Sequence, residues 1–251
     1  MLRLESVSKS FGGLKATDNL TLDFQAGSLS AIIGPNGAGK TTVFNLITGR
    51  LVPDSGSILL DGESITGLSP ARIVERGVAR AFQVASVFPT MTVAEQMQAA
   101  VLARRRRIHD AWRPFRQAPV VRRADELIEL LGLEGRAHVP ASQLSHGDQK
   151  LLDIGLALAL EPRVLLLDEP TAGMGPDERW QMIERVQRLW QAGGMTLVFI
   201  EHDMDIVFAH AQTVTVLYYG GLLAQGTPEE IRSNPAVIDA YLGHGFETEA
   251  R

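Results

Sequence analysis

The chain has no cysteine among its 251 residues. Disulfides and thiolate metal centres are therefore excluded, and the composition suits a reducing compartment. Long hydrophobic runs are missing as well. The longest nearly apolar stretch, residues 151–160, already contains Asp153, and nothing approaches the roughly eighteen apolar residues that span a bilayer. Residues 1–5 do not lead into an apolar region with a small-residue cleavage site, so no secretory signal is expected. Aromatics are scarce at 6%, and six histidines are scattered without metal-ligand spacing. An excess of positive charge is absent too. The 24 Lys and Arg against 29 Asp and Glu give a net charge of −5, which argues against a general nucleic-acid binder. What is left is an ordinary globular composition, long enough for one large domain or a core with a subdomain. If such a protein serves a membrane, it does so from outside the bilayer.

The stretch that organises the rest is Gly34-Pro-Asn36-Gly37-Ala38-Gly39-Lys40-Thr41-Thr42. It fits G-x-x-x-x-G-K-[ST] at every fixed position, after a β-capable apolar run (29–33) and before apolar residues (43–47) that suit one helix face. Glycines let the backbone wrap around phosphate oxygens, so that successive N–H groups and the helix N-terminus point at the anion. Lys40 adds a point charge for the β- and γ-phosphates, and the Thr41 hydroxyl is a ligand for Mg2+. The glycines read G-x-x-G-x-G, which fails the dinucleotide fingerprint. The motif predicts a nucleoside-triphosphate site.

Upstream, residues 2–9 and 20–24 alternate apolar and polar, which predicts two hairpin-linked strands and an antiparallel β-layer beside an α/β core. Phe11, before Gly12-Gly13, is read as exposed, and either stacks on a nucleobase or packs on an edge. Downstream, a short strand over 77–82 leads into Gln83, which either reaches a metal or the attacking water or is a surface residue. Helical periodicity follows over 92–103 and 122–131. Between and around these lie eight arginines in residues 104–123, with Trp112 and Phe115 among them. That basic stretch is read as a solvated helix end and loop, or as a contact for anionic headgroups or an acidic partner. Ser145 and Asp148 have capping-box spacing at the start of a helix running to Leu160, and Ser145, His146 and Gly147 form either a plain cap or a second phosphate-binding N-terminus. Four apolar residues, 164–167, end in Asp168 and Glu169. That pattern places Asp168 for Mg2+ and Glu169 for polarising a water in line with the γ-phosphate. A further buried strand, 195–200, ends before His202, a candidate γ-phosphate contact on the edge where α/β sheets bind ligands.

Together, and in this order, these motifs resemble the ATP-binding subunits of ABC transporters over nearly the whole chain. In that resemblance Gln83 is the Q-loop glutamine, and residues 144–148 are the signature. Residues 164–169 are Walker B, residues 172–176 are the D-loop, His202 is the switch histidine and Phe11 the adenine-stacking aromatic. The resemblance implies an α/β fold: a P-loop NTPase core with an antiparallel β-subdomain and an inserted α-helical subdomain. As one ABC ATPase domain, residues 1–86 and 160–233 would form the β-subdomain and core, 87–159 the helical subdomain and 234–251 a C-terminal extension. It implies ATP and Mg2+, with catalysis by Glu169, His202 and Gln83 and metal binding by Thr41, Gln83 and Asp168. Nucleotide contacts fall to Phe11, Gly34, Asn36, Gly37, Ala38, Gly39, Lys40, Thr41 and Thr42, and to Ser145, His146 and Gly147 across a head-to-tail dimer.

Residues 11–16, 87–93, 172–174 and the ending Gly226-Thr-Pro-Glu-Glu-Ile…Ala240-Tyr-Leu-Gly are similar to importers of branched-chain amino acids, and of urea or short amides. The implied partners are two transmembrane permease subunits, an identical or paralogous ATPase subunit, and indirectly an extracytoplasmic solute-binding protein, with no nucleic acid. The implied place is the cytoplasmic face of the plasma membrane, peripherally. An exporter subunit such as that of lipopolysaccharide export, or a soluble ABC-type ATPase, are the alternatives. Two residues depart from the family pattern. Asp148 stands where glutamine is usual, which predicts mild repulsion of a triphosphate, and Gly175 stands where the D-loop aspartate is usual.

Overall fold

The alternation at the start of the chain becomes a long hairpin, β1 (Leu2–Phe11) and β2 (Leu14–Phe24), with Phe11 opposite Leu14. Gly12 and Gly13 between them have φ of 52° and 91°. Positive φ at both central residues is what a two-residue hairpin turn needs, so the strands run further toward the turn than alternation alone predicts. The computed structural model describes residues 1–81, 85, 87–104 and 118–242. Its contacts divide the chain into two units, one of residues 74–194 and one made from the chain on either side.

In the flanking unit, β3 (Leu29–Ile33) is buried at every position and leads through the glycine loop to α1 (Lys40–Ile47). Then come β4 (Ser55–Leu60), β5 (Glu63–Ser64) and α2 (Pro70–Glu75). β4 pairs antiparallel with β1, giving a sheet of order β2-β1-β4-β5. Leu2, Leu4, Val7, Leu20, Leu22 and Phe24 are all buried, the expected result of period-two alternation.

The middle unit opens with β6 (Val78–Ala81), followed by α3 (Val93–Arg104), α4 (Ala118–Leu131) and α5 (His146–Leu158). It closes with β7 (Val164–Asp168) and α6 (Pro176–Gly193). β6 and β7 pair in parallel, Val78 beside Val164 and Arg80 beside Leu166. Thr92 and Glu95 exchange hydrogen bonds of 2.9 Å and 3.2 Å and so cap α3. The α4 helix is described from Ala118, so it reaches further toward its N-terminus than the 122–131 that periodicity predicts. α3, α4 and α5 share a core of Met97, Val101, Ala124, Leu127, Ile128, Leu131 and Ile154.

The chain then returns to the first unit with β8 (Thr196–Ile200), α7 (Met204–His210), β9 (Thr213–Tyr218), β10 (Gly221–Gly226), α8 (Pro228–Arg232) and α9 (Pro235–Leu242). β8 and β9 flank β3 in parallel, with Ile32 beside Ile200 and Ile33 beside Val216, and β10 adds antiparallel to β9. Parallel α/β core, antiparallel layer and helical insertion are all present, as expected. No helix among the described residues is long and apolar enough to cross a membrane.

One position tests the helical packing. A Cβ added at Gly155 of α5 would lie 2.3 Å from Leu131 Cδ1 and 2.7 Å from Met97 Cε. Gly155→Leu is expected to destabilise the protein by about 1–3 kcal/mol through overpacking. A lowered urea midpoint measures it, and an unchanged midpoint means the three helices have room to spare.

Candidate nucleotide site

The phosphate loop leaves β3 between the ends of β8 and β9, and its backbone is crowded on several sides. A Cβ at Gly34 would sit 2.2 Å from the Leu217 carbonyl oxygen, and one at Gly39 2.3 Å from that of Ala16. Gly39 also has a φ of 101°, closed to L side chains, and it is the N-cap of α1. Lys40 is only 6% exposed. Its Nζ donates to the carbonyl oxygens of Gly34 (2.6 Å) and Pro35 (3.0 Å), which hold the charge inside the loop. Asn36, Gly37 and Thr41 are exposed, Thr42 is half-buried and Ala38 is buried. A cation, open backbone and a hydroxyl in the first turn of a helix are the donors a triphosphate needs.

Three other elements of the same unit fix the loop. The Gly220 N–H donates to the Ala38 carbonyl (3.1 Å) while its own carbonyl accepts from Asp18 N–H (2.9 Å). From α9, the Tyr241 hydroxyl lies near the backbone N–H of Gly34. Burial pushes the Tyr241 hydroxyl up to about 12, with the Gly34 N–H opposing, so it stays neutral. His202 follows β8 and is exposed, and because β8 runs parallel to β3, it leaves the same sheet edge as the phosphate loop. Its backbone N–H donates to the buried Glu201 carboxylate (3.2 Å). Phe11 is 46% exposed, so it is not packed into an edge. Lys9 Nζ lies 5.8 Å from the centre of its ring and is held to Asp54 at 2.7 Å. That bond and one from Ser10 N–H keep the Asp54 carboxyl below its usual range.

In the middle unit, β7 delivers Asp168 and Glu169 at its C-terminal end. Glu169 has a φ of 46°, a conformation that costs a non-glycine residue about 1–3 kcal/mol and that collects at functional positions. Asp168 Oδ2 forms an ion pair with Arg80 of β6, both side chains being 6% exposed. The Asp168 carbonyl accepts from Lys150 Nζ of α5 (3.2 Å), itself 2% exposed. Lys150 thereby ties the helix that Ser145 caps to the end of β7. At that cap the Ser145 hydroxyl accepts from Asp148 N–H (3.2 Å), and His146 is exposed. The Asp148 carboxylate is not left to repel alone, because Arg136 forms an ion pair with it. Gly175 caps α6, its N–H donating to Glu178 Oε2 (3.2 Å).

Sequence reasoning missed Arg80, Lys150, Arg136 and Tyr241. A visible signal existed for Arg80, a charge within an otherwise apolar strand; Tyr241 gave none. Gln83 lies outside the described residues, as do Arg105, Arg106, Arg107, Trp112, Arg113, Phe115 and Arg116 of the basic stretch. At its edges Arg123 meets Glu126 (3.0 Å), and Arg104 meets Glu161 at 3.9 Å.

The family model for ABC transporters matches residues 17–172. The chain belongs to the ABC transporter family. A second model, for the branched-chain amino acid ATP-binding cassette transporter, matches residues 222–247. The high-affinity branched-chain amino acid transport ATP-binding protein LivG of Escherichia coli (strain K12) is 38% identical over 252 residues, covering 97% of this chain and 98% of LivG. BraF of Pseudomonas aeruginosa, described in the same words, is 37% identical with the same coverage. Among solved structures, the ADP conformation of MJ1267, an ATP-binding cassette of an ABC transporter, is 32% identical. It superposes with a TM-score of 0.85 over 97% of this chain and 98% of that one. As a member of this family the chain has the ABC ATPase fold, binds nucleotide and hydrolyses ATP.

The anchor from α9 is testable in this ABC ATPase. Tyr241→Phe removes only the hydroxyl beside the Gly34 N–H and is expected to raise the nucleotide Kd by up to about fivefold. Titration with a fluorescent ADP measures it; an unchanged Kd means the loop is held without α9.

Proposed function

We propose that this chain is the ATP-hydrolysing subunit of an importer for branched-chain or similar hydrophobic amino acids, acting peripherally at the cytoplasmic face of the membrane. The observation that carries the reading is near-full-length identity to LivG and BraF, joined by the match of residues 222–247 to a branched-chain amino acid cassette. Its partners would be two permease subunits and a second ATPase subunit, identical or paralogous, in a head-to-tail dimer, with a solute-binding protein delivering cargo outside. As one ABC ATPase domain, residues 1–86 and 160–233 hold the core and β-subdomain, 87–159 the helical subdomain and 234–251 the extension.

In this reading the loop amides of Gly34 to Gly39, with Asn36, Gly37 and Ala38 between, wrap the phosphates. Lys40 shifts its Nζ from the loop carbonyls to the β- and γ-oxygens. Phe11 stacks on the adenine, for which its exposed ring is available. The residues that would hold Mg2+ are the Thr41 hydroxyl, the Gln83 amide and the Asp168 carboxylate, all oxygen donors of the kind Mg2+ prefers. When bound, it neutralises charge on the phosphates. Arg80 holds Oδ2 of Asp168, so the other carboxylate oxygen would be the one left for a metal. Glu169 would accept a proton from the attacking water, Gln83 would reach the metal or that water, His202 would contact the γ-phosphate, and Ser145, His146 and Gly147 of the second subunit would close over the triphosphate.

Glu169→Gln keeps the size of the side chain but removes the base, so ATP turnover is expected to fall at least about a hundredfold while ATP-bound dimer accumulates. Turnover at the wild-type rate would exclude Glu169 as the base. Isolation of the tagged chain from gently solubilised membranes of its host is expected to recover two multi-spanning permeases. Recovery of soluble partners alone removes the importer reading and leaves the ATPase standing.

A further inference from the structure

The departure at position 148 has a local answer in the fold. Asp148 lies in the first turn of α5, and its Oδ2 accepts the proton of the Ser145 hydroxyl at 2.7 Å. The same oxygen takes Arg136 Nη1, projected from the short turn Glu134–Arg136 that follows α4. Arg136 is half exposed and Asp148 15% exposed. Glu178 and Arg185 also line the depression around Ser145, Gly147 and Asp148, and their charges offset one another. The cation in direct contact with the carboxylate is Arg136.

We propose that Arg136 is a positioning residue for ATP at the signature helix, neutralising Asp148 so that a helix with an acid in its first turn accepts a triphosphate. The inference rests on the proposed ATP-sandwich dimer. Glutamine at this position would bring no charge; aspartate brings one negative charge toward a ligand carrying several, and that repulsion weakens binding until salt screens it. Arg136 cancels that charge at its source. It also has a second effect. Ser145 now spends its proton on Asp148, and for Ser145 to donate to a phosphate oxygen that bond must break. With Arg136 on the same oxygen the carboxylate remains satisfied after the hydroxyl turns away. Arg136 thus makes the release of Ser145 inexpensive.

The test is ATP turnover by the assembled transporter in lipid nanodiscs, measured against ATP concentration. Arg136→Ala is expected to raise KM for ATP about tenfold, with an unfolding temperature close to wild type because the side chain is half exposed. Adding Asp148→Gln to Arg136→Ala is expected to bring KM back to within about twofold of wild type, and Arg136→Lys to fall between. The Arg136→Ala defect is expected to shrink as NaCl rises, which a packing defect would not do. An unchanged KM in Arg136→Ala overturns the inference, as does failure of Asp148→Gln to restore it. Those outcomes leave the transporter reading intact. If no permease accompanies the chain, the importer reading falls first, and this inference with it.

Discussion

The constraint on which the rest of the first unit depends is backbone crowding around the phosphate loop. At Gly34 and Gly39 neighbouring carbonyl oxygens stand where a Cβ would be, 2.2 Å and 2.3 Å away. The loop is therefore a cast made by its surroundings: the end of β9, Ala16 near the start of β2, and the β9–β10 turn. Each contributes a backbone atom, so the shape does not depend on soft side chains. Such a mould costs little to hold once β3 is buried between β8 and β9, since the parallel ladder sets where the loop begins. Lys40 completes it from within. By donating to the carbonyls of Gly34 and Pro35, the ammonium avoids a bare buried charge and stays within reach of an incoming phosphate.

The second unit solves a different problem, that of partnering a buried carboxylate. Asp168 is 4% exposed, and leaving one ion of a buried pair without its partner costs about 3–5 kcal/mol. Arg80 from the neighbouring strand meets its side chain and Lys150 meets its carbonyl. Lys150 belongs to the helix that Ser145 caps, so a buried hydrogen bond joins the signature helix directly to the end of β7. The strained φ of 46° at Glu169 sits at the end of that support, where backbone packing can sustain it.

Much of this was legible in the sequence, and the parts that were not share a cause. β3, β7 and β8 could be read because strands buried on both faces are continuous apolar runs. The cap at Ser145 could be read because its partner is three residues away. The ion pair of Arg80 with Asp168 joins residues 88 apart, and no spacing rule reaches that far. Tyr241 touches the phosphate loop from the far end of the chain, by a path set only when α8 and α9 fold back beside β9 and β10. The first described residues of α4, 118–121, lie outside the periodic apolar run from which the helix was read. Local chemistry was thus readable and the partners that stabilise it were not.

That division matters for how departures from a family pattern are judged. Read alone, Asp148 is a defect, an acid facing the ligand's own charge. In the folded chain it is one corner of a three-membered group with Ser145 and Arg136, and its charge is met within the same unit. Gly175 is comparable in part. It brings no side chain to the D-loop, yet its N–H donates to Glu178 and so starts α6 as a cap would. The local geometry of both positions is satisfied within this chain. A substitution at a family position is therefore weighed together with the residue that answers it, and at Asp148 that residue lies twelve positions upstream, in a turn no motif includes.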